Sequence, residues 1–408
     1  MTTKNRETAP KLAEAVWRQS DKENLSLVTG GPTYRAMVGA RLTSADAPMP
    51  ARRVAFWVGL TWMPLLAISA AEGNMLGQHL AMPFLRDLVA QVRFLLALPL
   101  LVAAEPFIGT RLAEIARQFV EAKVLHEEEV MRFEVAARSV VRLRDSWLAE
   151  LILLGLAFLP SLVNVLPEQD VGTTSWWEGL TGGSPQPSAA GWWYLLISMP
   201  LFRFLMLRWA YRFGLWAILL WKISLLRLRL SAIHPDRAGG LGFLMASPPV
   251  FWPVAFALGS VLAATAAYRI SHAQARLLPT EVAIGAFIVL ATVVPILPLL
   301  AFAPKLARVR WHGVIRLGKL GEMYANSFDE KWGRPHTDAA DELLGTADIQ
   351  TLADLGSSFD AARGTRIVPV SIGSVLGLAV SAVAPMVPLL LLFYPAKEIL
   401  KALLRVFL

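Results

Sequence analysis

The sequence predicts an all-α fold, a polytopic transmembrane helix bundle of about seven membrane segments with a small helical cytoplasmic layer. Three observations predict it. Of 408 residues, 55% are hydrophobic and only 17% charged, and mean hydropathy is +0.50, whereas a soluble domain carries about 25% charge. The apolar residues gather into runs of membrane-spanning length. The basic residues behind the net charge of +8 concentrate in particular loops, as they do where inner and outer loops of a membrane protein differ.

Crossing about 30 Å of hydrocarbon takes roughly 20 helical residues. Six stretches qualify: 54–72, 88–108, 147–166, 192–212, 249–270 and 282–303. A seventh, 367–394, is longer and contains Gly373, Gly377, Pro385 and Pro388. It reads as a full crossing or as a re-entrant segment. Residues 1–50 form a polar arm with no apolar core of signal-peptide length, and 51–408 form the membrane domain.

Charge orients the bundle. The chain up to Arg53 holds nine Lys or Arg, 109–146 holds seven, 304–366 holds nine, and 167–191 holds none. Span parity puts the first three regions on one side and the last on the other. The positive-inside rule makes the first three cytoplasmic.

Between the spans, 109–146 has apolar residues at helical spacing (Leu112, Ile115, Phe119, Val120) and reads as an amphipathic helix continuous with the third span. Apolar character runs from Trp192 to Leu230, about 58 Å as helix and too long for one crossing. The expectation is one span that runs on as an interfacial helix, with Lys222, Arg227 and Arg229 at anionic headgroups. The cytoplasmic helical segments are thus 109–146, 222–247 and 304–366, with a helix at 347–362. The tail 396–408 sets Ile399, Leu403 and Phe407 opposite Lys397, Lys401 and Arg405, an interfacial helix. No internal repeat is legible.

Ionisable residues inside spans point to function, since burying a charge in lipid is costly. Arg208 and Arg212 are four apart on one helix face, at a depth where Glu150 or Glu105 could pair with them. The alternative is arginines snorkelling to the headgroups. Arg203 falls near mid-membrane and needs a partner, a cavity or an anion. Arg93 is expected to share that cavity, and the two would line an anion-preferring path.

The segment His234-Pro235-Asp236-Arg237-Ala238-Gly239-Gly240-Leu241-Gly242-Phe243-Leu244 stops a helix at Pro235. Its glycines permit positive φ. Its backbone N–H groups could form an anion nest, or it is a tight connection. His126-Glu127-Glu128-Glu129 has no second His at metal-ligand spacing and reads as a solvated face. With no cysteine, thiolate metal sites and cysteine nucleophiles are excluded. No metal, no cofactor and no catalytic residue is expected. The basic and aromatic mixture at 305–319 reads as an inner-surface anchor on anionic lipid rather than a nucleic-acid surface.

Two stretches, HPDRAGGLGFL from His234 and DIQTLADLGSSFDAAR from Asp348, resemble a family of bacterial polytopic inner-membrane proteins with no known activity. The resemblance implies that both belong to one design. They are expected to pack on each other, Asp236 or Arg237 near Gln350 to Asp354. The expected location is a bacterial cytoplasmic (inner) membrane, multi-pass, with the N terminus cytoplasmic.

The function expected is a channel or transporter for a small ion or solute, anions slightly favoured. The warrant is membrane-buried arginine in excess of acid, together with proline-broken spans at Pro295, Pro298, Pro385 and Pro388. The alternatives are a non-conducting scaffold or sensor with a cytoplasmic partner, and a membrane enzyme acting on lipid or a phosphorylated substrate. The partners expected are the lipid bilayer, its anionic inner-leaflet lipids and, as an option, a second copy of the chain. Gly373, Gly377 and Ser381 would permit such close helix packing.

Overall fold

The computed structural model describes residues 26–28, 30–43, 49–76, 80, 82–163, 175–181, 184–272, 277–332 and 347–389. The helices are α1 (Pro32–Gly39), α2 (Pro50–Ala71), α3 (Leu88–Glu121), α4 (Glu127–Arg144), α5 (Trp147–Val163), α6 (Ala189–Ser224), α7 (Trp252–His272), α8 (Leu277–Val293), α9 (Ala303–Trp332), α10 (Asp348–Arg363) and α11 (Ile372–Val383). Five helical stretches are long and apolar enough to cross a membrane: α2, α3, α6, Gly242–Ser271 and Glu281–Trp332. The expected third and seventh segments are shorter apolar helices, Trp147–Ser161 and Ile372–Pro388. The tail 396–408 lies outside the described residues.

Several expectations are corrected. The 109–146 stretch is not one helix. Its first part is the end of α3, and the chain breaks at Ala122–His126 before α4, with Lys123 at φ 52°. A second turn at Asp145–Ser146 separates α4 from α5. The long apolar run from Trp192 does not continue as helix to Leu230 but ends at Ser224. Beyond it the chain is tied down, because Leu228 bridges Leu125 and the Arg229 N–H donates to the Val124 carbonyl at 2.7 Å. The 222–247 segment is therefore an ordered loop that closes in a 3₁₀ turn at Gly242–Ala246. The described residues are helical as expected, apart from one short antiparallel hairpin, β1 (Glu178–Thr181) with β2 (Ser184–Pro187).

Prolines explain most departures from plain α-helix, since each removes a backbone donor and crowds the carbonyl four residues back. Pro295 and Pro298 sit in a nine-residue 3₁₀ stretch, Val294–Phe302, that joins α8 to α9. Pro385 and Pro388 lie in the 3₁₀ turn Ala384–Leu389 after α11.

The bundle has two ends. At one, Ala189 and Trp176 meet the residues that follow α2 and precede α3: Ala189 N–H donates to Glu72, and the Trp176 indole donates to Asp87 at 3.0 Å. The other, the loop end, gathers residues 26–28 and 30–33, the α3–α4 turn, the 225–247 loop and α9–α10. Phe119 joins this end by ring contacts with Phe243 (4.9 Å), Phe302 (5.9 Å) and Phe133 (6.4 Å). Along α3, Leu98, Leu101, Ile108, Leu112 and Phe119 are all buried, the i, i+3/4 stripe of a core-facing helix.

Within lipid the apolar faces gain little from each other, so close approach of small residues holds helices together. The Gly242–Ser271 stretch shows this: 61% of its apolar window is buried, against 22% for α2, so it is central. A Cβ placed at Gly259 would stand 2.6 Å from the Ala382 carbonyl oxygen of α11, a backbone atom that cannot swing away. We expect Gly259→Val to separate α7 from α11 and cost about 1–3 kcal/mol, as overpacking does. A lower unfolding temperature in detergent than that of Gly285→Val, where nothing lies within 4 Å, would show it.

Candidate functional site

Two cationic clusters lie along α3 and α6. The first is at the loop end. Glu105 of α3 is 1% exposed and accepts from three guanidiniums: Arg53 of α2, Arg212 at 2.7 Å and Arg208 at 3.4 Å, both of α6. All three arginines are buried. Arg208 Nε also lies 3.6 Å from Glu150 of α5. Three arginines thus face two carboxylates. A buried charge persists only when paired and further hydrogen-bonded, and here the main chain supplies the remaining acceptors.

Those acceptors come from the segment preceding α1. The Val28 carbonyl accepts from Arg212 at 2.8 Å, the Gly30 carbonyl from Arg208 at 3.5 Å, and the Ser26 carbonyl from Arg144. In return Thr33 donates its N–H and hydroxyl to Glu150 at 2.7 and 2.6 Å, and Gly31 N–H donates to Asp145 at 3.0 Å. Leu27 and Val28 are buried, 2% and 1% exposed. Gly30 (φ 147°) and Gly31 (φ 92°) allow the backbone to turn against Arg144. This part of the arm plugs the loop end of the bundle.

The second cluster centres on Arg93, Tyr194 and Arg203. Arg93 opens a π-turn (Arg93–Ala97) in α3, and Tyr194 opens one (Tyr194–Ser198) in α6. In each, a proline follows six residues after the first residue, in Arg93-Phe-Leu-Leu-Ala-Leu-Pro99 and Tyr194-Leu-Leu-Ile-Ser-Met-Pro200. The proline disturbs the i−4 ladder. The preceding residue bonds five back instead, Leu98 N–H to Arg93 O and Met199 N–H to Tyr194 O. Such π-turns are rare and frequent at functional sites. Here the two face each other, and Arg93 donates to the Tyr194 hydroxyl at 2.6 Å. The Arg93 guanidinium also lies 5.8 Å from the Phe202 ring centroid, and its buried Nε has no hydrogen-bond partner.

Arg203 donates to the Ser161 hydroxyl of α5 at 2.8 Å and lies within electrostatic reach of Arg93 and Tyr194. Among the described residues neither Arg93 nor Arg203 has an ion-pair partner. The two clusters are separated along α3 by the twelve residues from Arg93 to Glu105, about 18 Å of rise. Buried Phe94, Leu98, Leu101, Phe202 and Leu205 fill that interval, and the Trp209 indole pins α6 to the Leu101 carbonyl at 3.1 Å.

The His234–Leu244 loop departs from its expected chemistry. Its backbone N–H groups do form a nest, but the anion in it is Asp236 itself. Its carboxylate accepts from Ala238 (2.7 Å), Gly240 (3.0 Å) and Gly242 (2.8 Å) and contacts His234 Nδ1 at 2.8 Å. Gly239 (φ 68°) and Gly240 (φ 99°) take the left-handed conformations, and Arg237 follows at φ 52°. The first motif stretch meets the chain just past the second, at Thr365 and Arg366, and not the expected Gln350 to Asp354. Arg366 N–H donates to the Arg237 carbonyl at 2.7 Å, and the Thr365 hydroxyl to that of Ala232 at 2.9 Å. Gln350 and Asp354 are exposed and bond to each other at 2.9 Å. Asp354 lies about 17 Å of helix rise from Thr365. The reason is the pairing of α10 with α9: Asp348, at the start of α10, is held by Lys331 (2.7 Å) and Trp332 (3.1 Å) at the far end of α9. The opposite end of α10 therefore meets the loop.

No family model, curated protein or solved structure matches the chain. The two motif stretches consequently contribute geometry alone. Reasoning from sequence missed Arg53, counted only among the basic residues before the first span, and the plug formed by residues 26–28 and 30–33. It also missed Tyr194 and Ser161, although the equal spacing to Pro99 and Pro200 marked both π-turns.

Removing one partner of a buried ion cluster leaves the others uncompensated. Glu105→Gln is expected to destabilise the protein by about 3–5 kcal/mol. Glu114→Gln, in a surface pair with Arg111, should cost under about 1 kcal/mol. Chemical unfolding in detergent checks both.

A second expectation concerns pH. Burial raises the Asp236 pKa, but the three N–H groups and His234 outweigh it and hold the carboxyl below its ordinary value. A lowered folded pKa means that the contribution is complete above the unfolded value, about 4, and is lost as pH falls through the folded one. Protection from hydrogen exchange at Ala238, Gly240 and Gly242, relative to the intrinsic rate at each pH, should hold down to about pH 4 and fall below it. In Asp236→Asn it should be low throughout, without that acid transition.

Proposed function

We propose that this integral membrane protein conducts or transports a small anion, binding it at Arg93 and Arg203. The observation that carries the proposal is the meeting of two π-turned spans at Arg93 and Tyr194, with Arg203 alongside and no acidic partner for either arginine among the described residues. Cationic side chains inside a membrane need a counter-charge. Where the fold supplies hydroxyls instead of carboxylates, a permeant anion can supply it. By loop charge the plugged end faces the cytoplasm. On this reading the conformation is a closed one, which the burial of Leu27 and Val28 against the loop-end cluster and the apolar layer below the upper cluster support.

A non-conducting scaffold or sensor is the second reading. It is favoured by the loop-end cluster, in which each arginine is bonded to a carboxylate or main-chain carbonyl. Anion flux from liposomes distinguishes the two. The wild type should pass anions, and Arg203→Gln should lose at least tenfold of that flux or its anion preference. Flux and selectivity unchanged in the variant would overturn the assignment of Arg203. No wild-type flux under varied voltage, pH and anion would favour the scaffold.

The same assay addresses the plug. Leu27→Ser/Val28→Ser should raise flux several-fold with selectivity unchanged, because selectivity is assigned to the upper cluster. A fall in flux with intact folding would contradict a closing role.

A further inference from the structure

Beyond the anion path, and independently of it, the loop end carries a groove of about 350 Å³ between the start of α9 and the 230–233 loop. Arg308, His312 and Arg316 line one wall. They are four residues apart and so lie along adjacent turns of one helix side. Ser231, Ala232 and Ile233 line the other. None of the lining residues is acidic, and neither Arg308 nor Arg316 has an ion-pair partner among the described residues. The groove is built by Gly313. A Cβ there would collide with that of Ala232, so only glycine lets the loop lie this close to the helix. Thr365 then holds the loop through the Ala232 carbonyl. His312 donates from Nδ1 to the Arg308 carbonyl at 2.8 Å.

We infer that this groove binds the phosphate headgroup of an anionic phospholipid. Charge alone would suit any phosphate, but the rim favours a lipid. Trp311 (66% exposed), Ile315 (41%) and Ile233 (47%) stand bare beside the basic groups. An exposed tryptophan and isoleucine one turn apart are costly in water and at home among acyl chains and headgroups. The position agrees. Arg308 comes six residues after Phe302, where the apolar part of the long Glu281–Trp332 helix gives way to basic sequence. That is about 9 Å along the axis, the depth of the headgroup layer next to a 30 Å hydrocarbon core. Guanidiniums suit phosphate oxygens through bidentate hydrogen bonds. Because the groove touches both the loop before α7 and the helix that α10 leans on, a bound headgroup would clamp these elements together.

Short-chain phosphatidylglycerol, phosphatidylcholine and inorganic phosphate would each be titrated into full-length protein in neutral detergent, with unfolding temperature as the readout. Phosphatidylglycerol should stabilise the protein saturably, phosphatidylcholine should not, and millimolar inorganic phosphate should not compete. Arg308→Gln/Arg316→Gln should weaken phosphatidylglycerol binding at least tenfold. Arg111→Gln/Arg142→Gln, which removes equal charge from exposed positions elsewhere at the same end, should leave it unchanged. Equal stabilisation by phosphatidylcholine, or equal loss in both double variants, would overturn the site. Competition by inorganic phosphate at matching concentration would overturn the lipid in favour of a soluble phosphate. If the groove variant lowers the starting temperature by itself, the concentration dependence of the shift still reports affinity, because ligand linkage depends on Kd.

Discussion

Charge in a low-dielectric interior must be matched or it cannot stay, and Glu105 is where this constraint acts most strongly. One carboxylate holds guanidiniums from α2 and twice from α6 while itself standing on α3. Four side chains on three helices can meet only at one rotation and one depth of each. The cluster therefore fixes the register of these spans where small-residue contact would leave some freedom to slide. Because three cations meet two acids, the remaining demand falls on main-chain carbonyls, and only an irregular segment can offer several at once. The 26–31 stretch does so, which ties a piece of the polar arm to the interior of the bundle. The burial of this segment at the loop end is in this sense a consequence of unbalanced charge.

The upper cluster meets the same constraint in another way. Pro99 and Pro200 each break one helical ladder, and both breaks are absorbed by a π-turn instead of a sharp kink. A π-turn rotates the following residues relative to the preceding ones. This brings Arg93 and Tyr194, which open the two turns, into contact. No carboxylate follows them. Net positive charge along α3 and α6 thus remains after every described ion pair has been counted, and Arg93 carries part of it where α3 deviates from regular geometry.

Much of this architecture could be read from the residues. Apolar run lengths gave the helical stretches, and the four-residue spacing of Arg208 and Arg212 placed both on one face toward an acid. Helix 347–362 appears as Asp348–Arg363. What could not be read depends on contacts between distant parts of the chain. Leu228 looks like helix by composition and is a bridge to Leu125 because Ala122–His126 turns beside it. The Asp236 nest looked vacant because sequence shows donors without showing which carboxylate reaches them. Leu27 and Val28 sit in a polar arm whose composition gives no reason for burial; three arginines elsewhere in the chain give the reason. Proline at equal distance after Arg93 and Tyr194 is visible without coordinates and marks the two π-turns.

The central claim is that an aqueous path reaches Arg203. The chain contains no cysteine, so Ser161→Cys places a single thiol at the residue that Arg203 contacts. Its reaction rate with membrane-impermeant thiosulfonates would be measured in sealed liposomes, with Arg111→Cys as an exposed reference. The account predicts modification of position 161, faster by the negatively charged reagent than by the positively charged one and slowed by excess permeant anion. No modification from either side while Arg111→Cys reacts, or preference for the positive reagent, would contradict it.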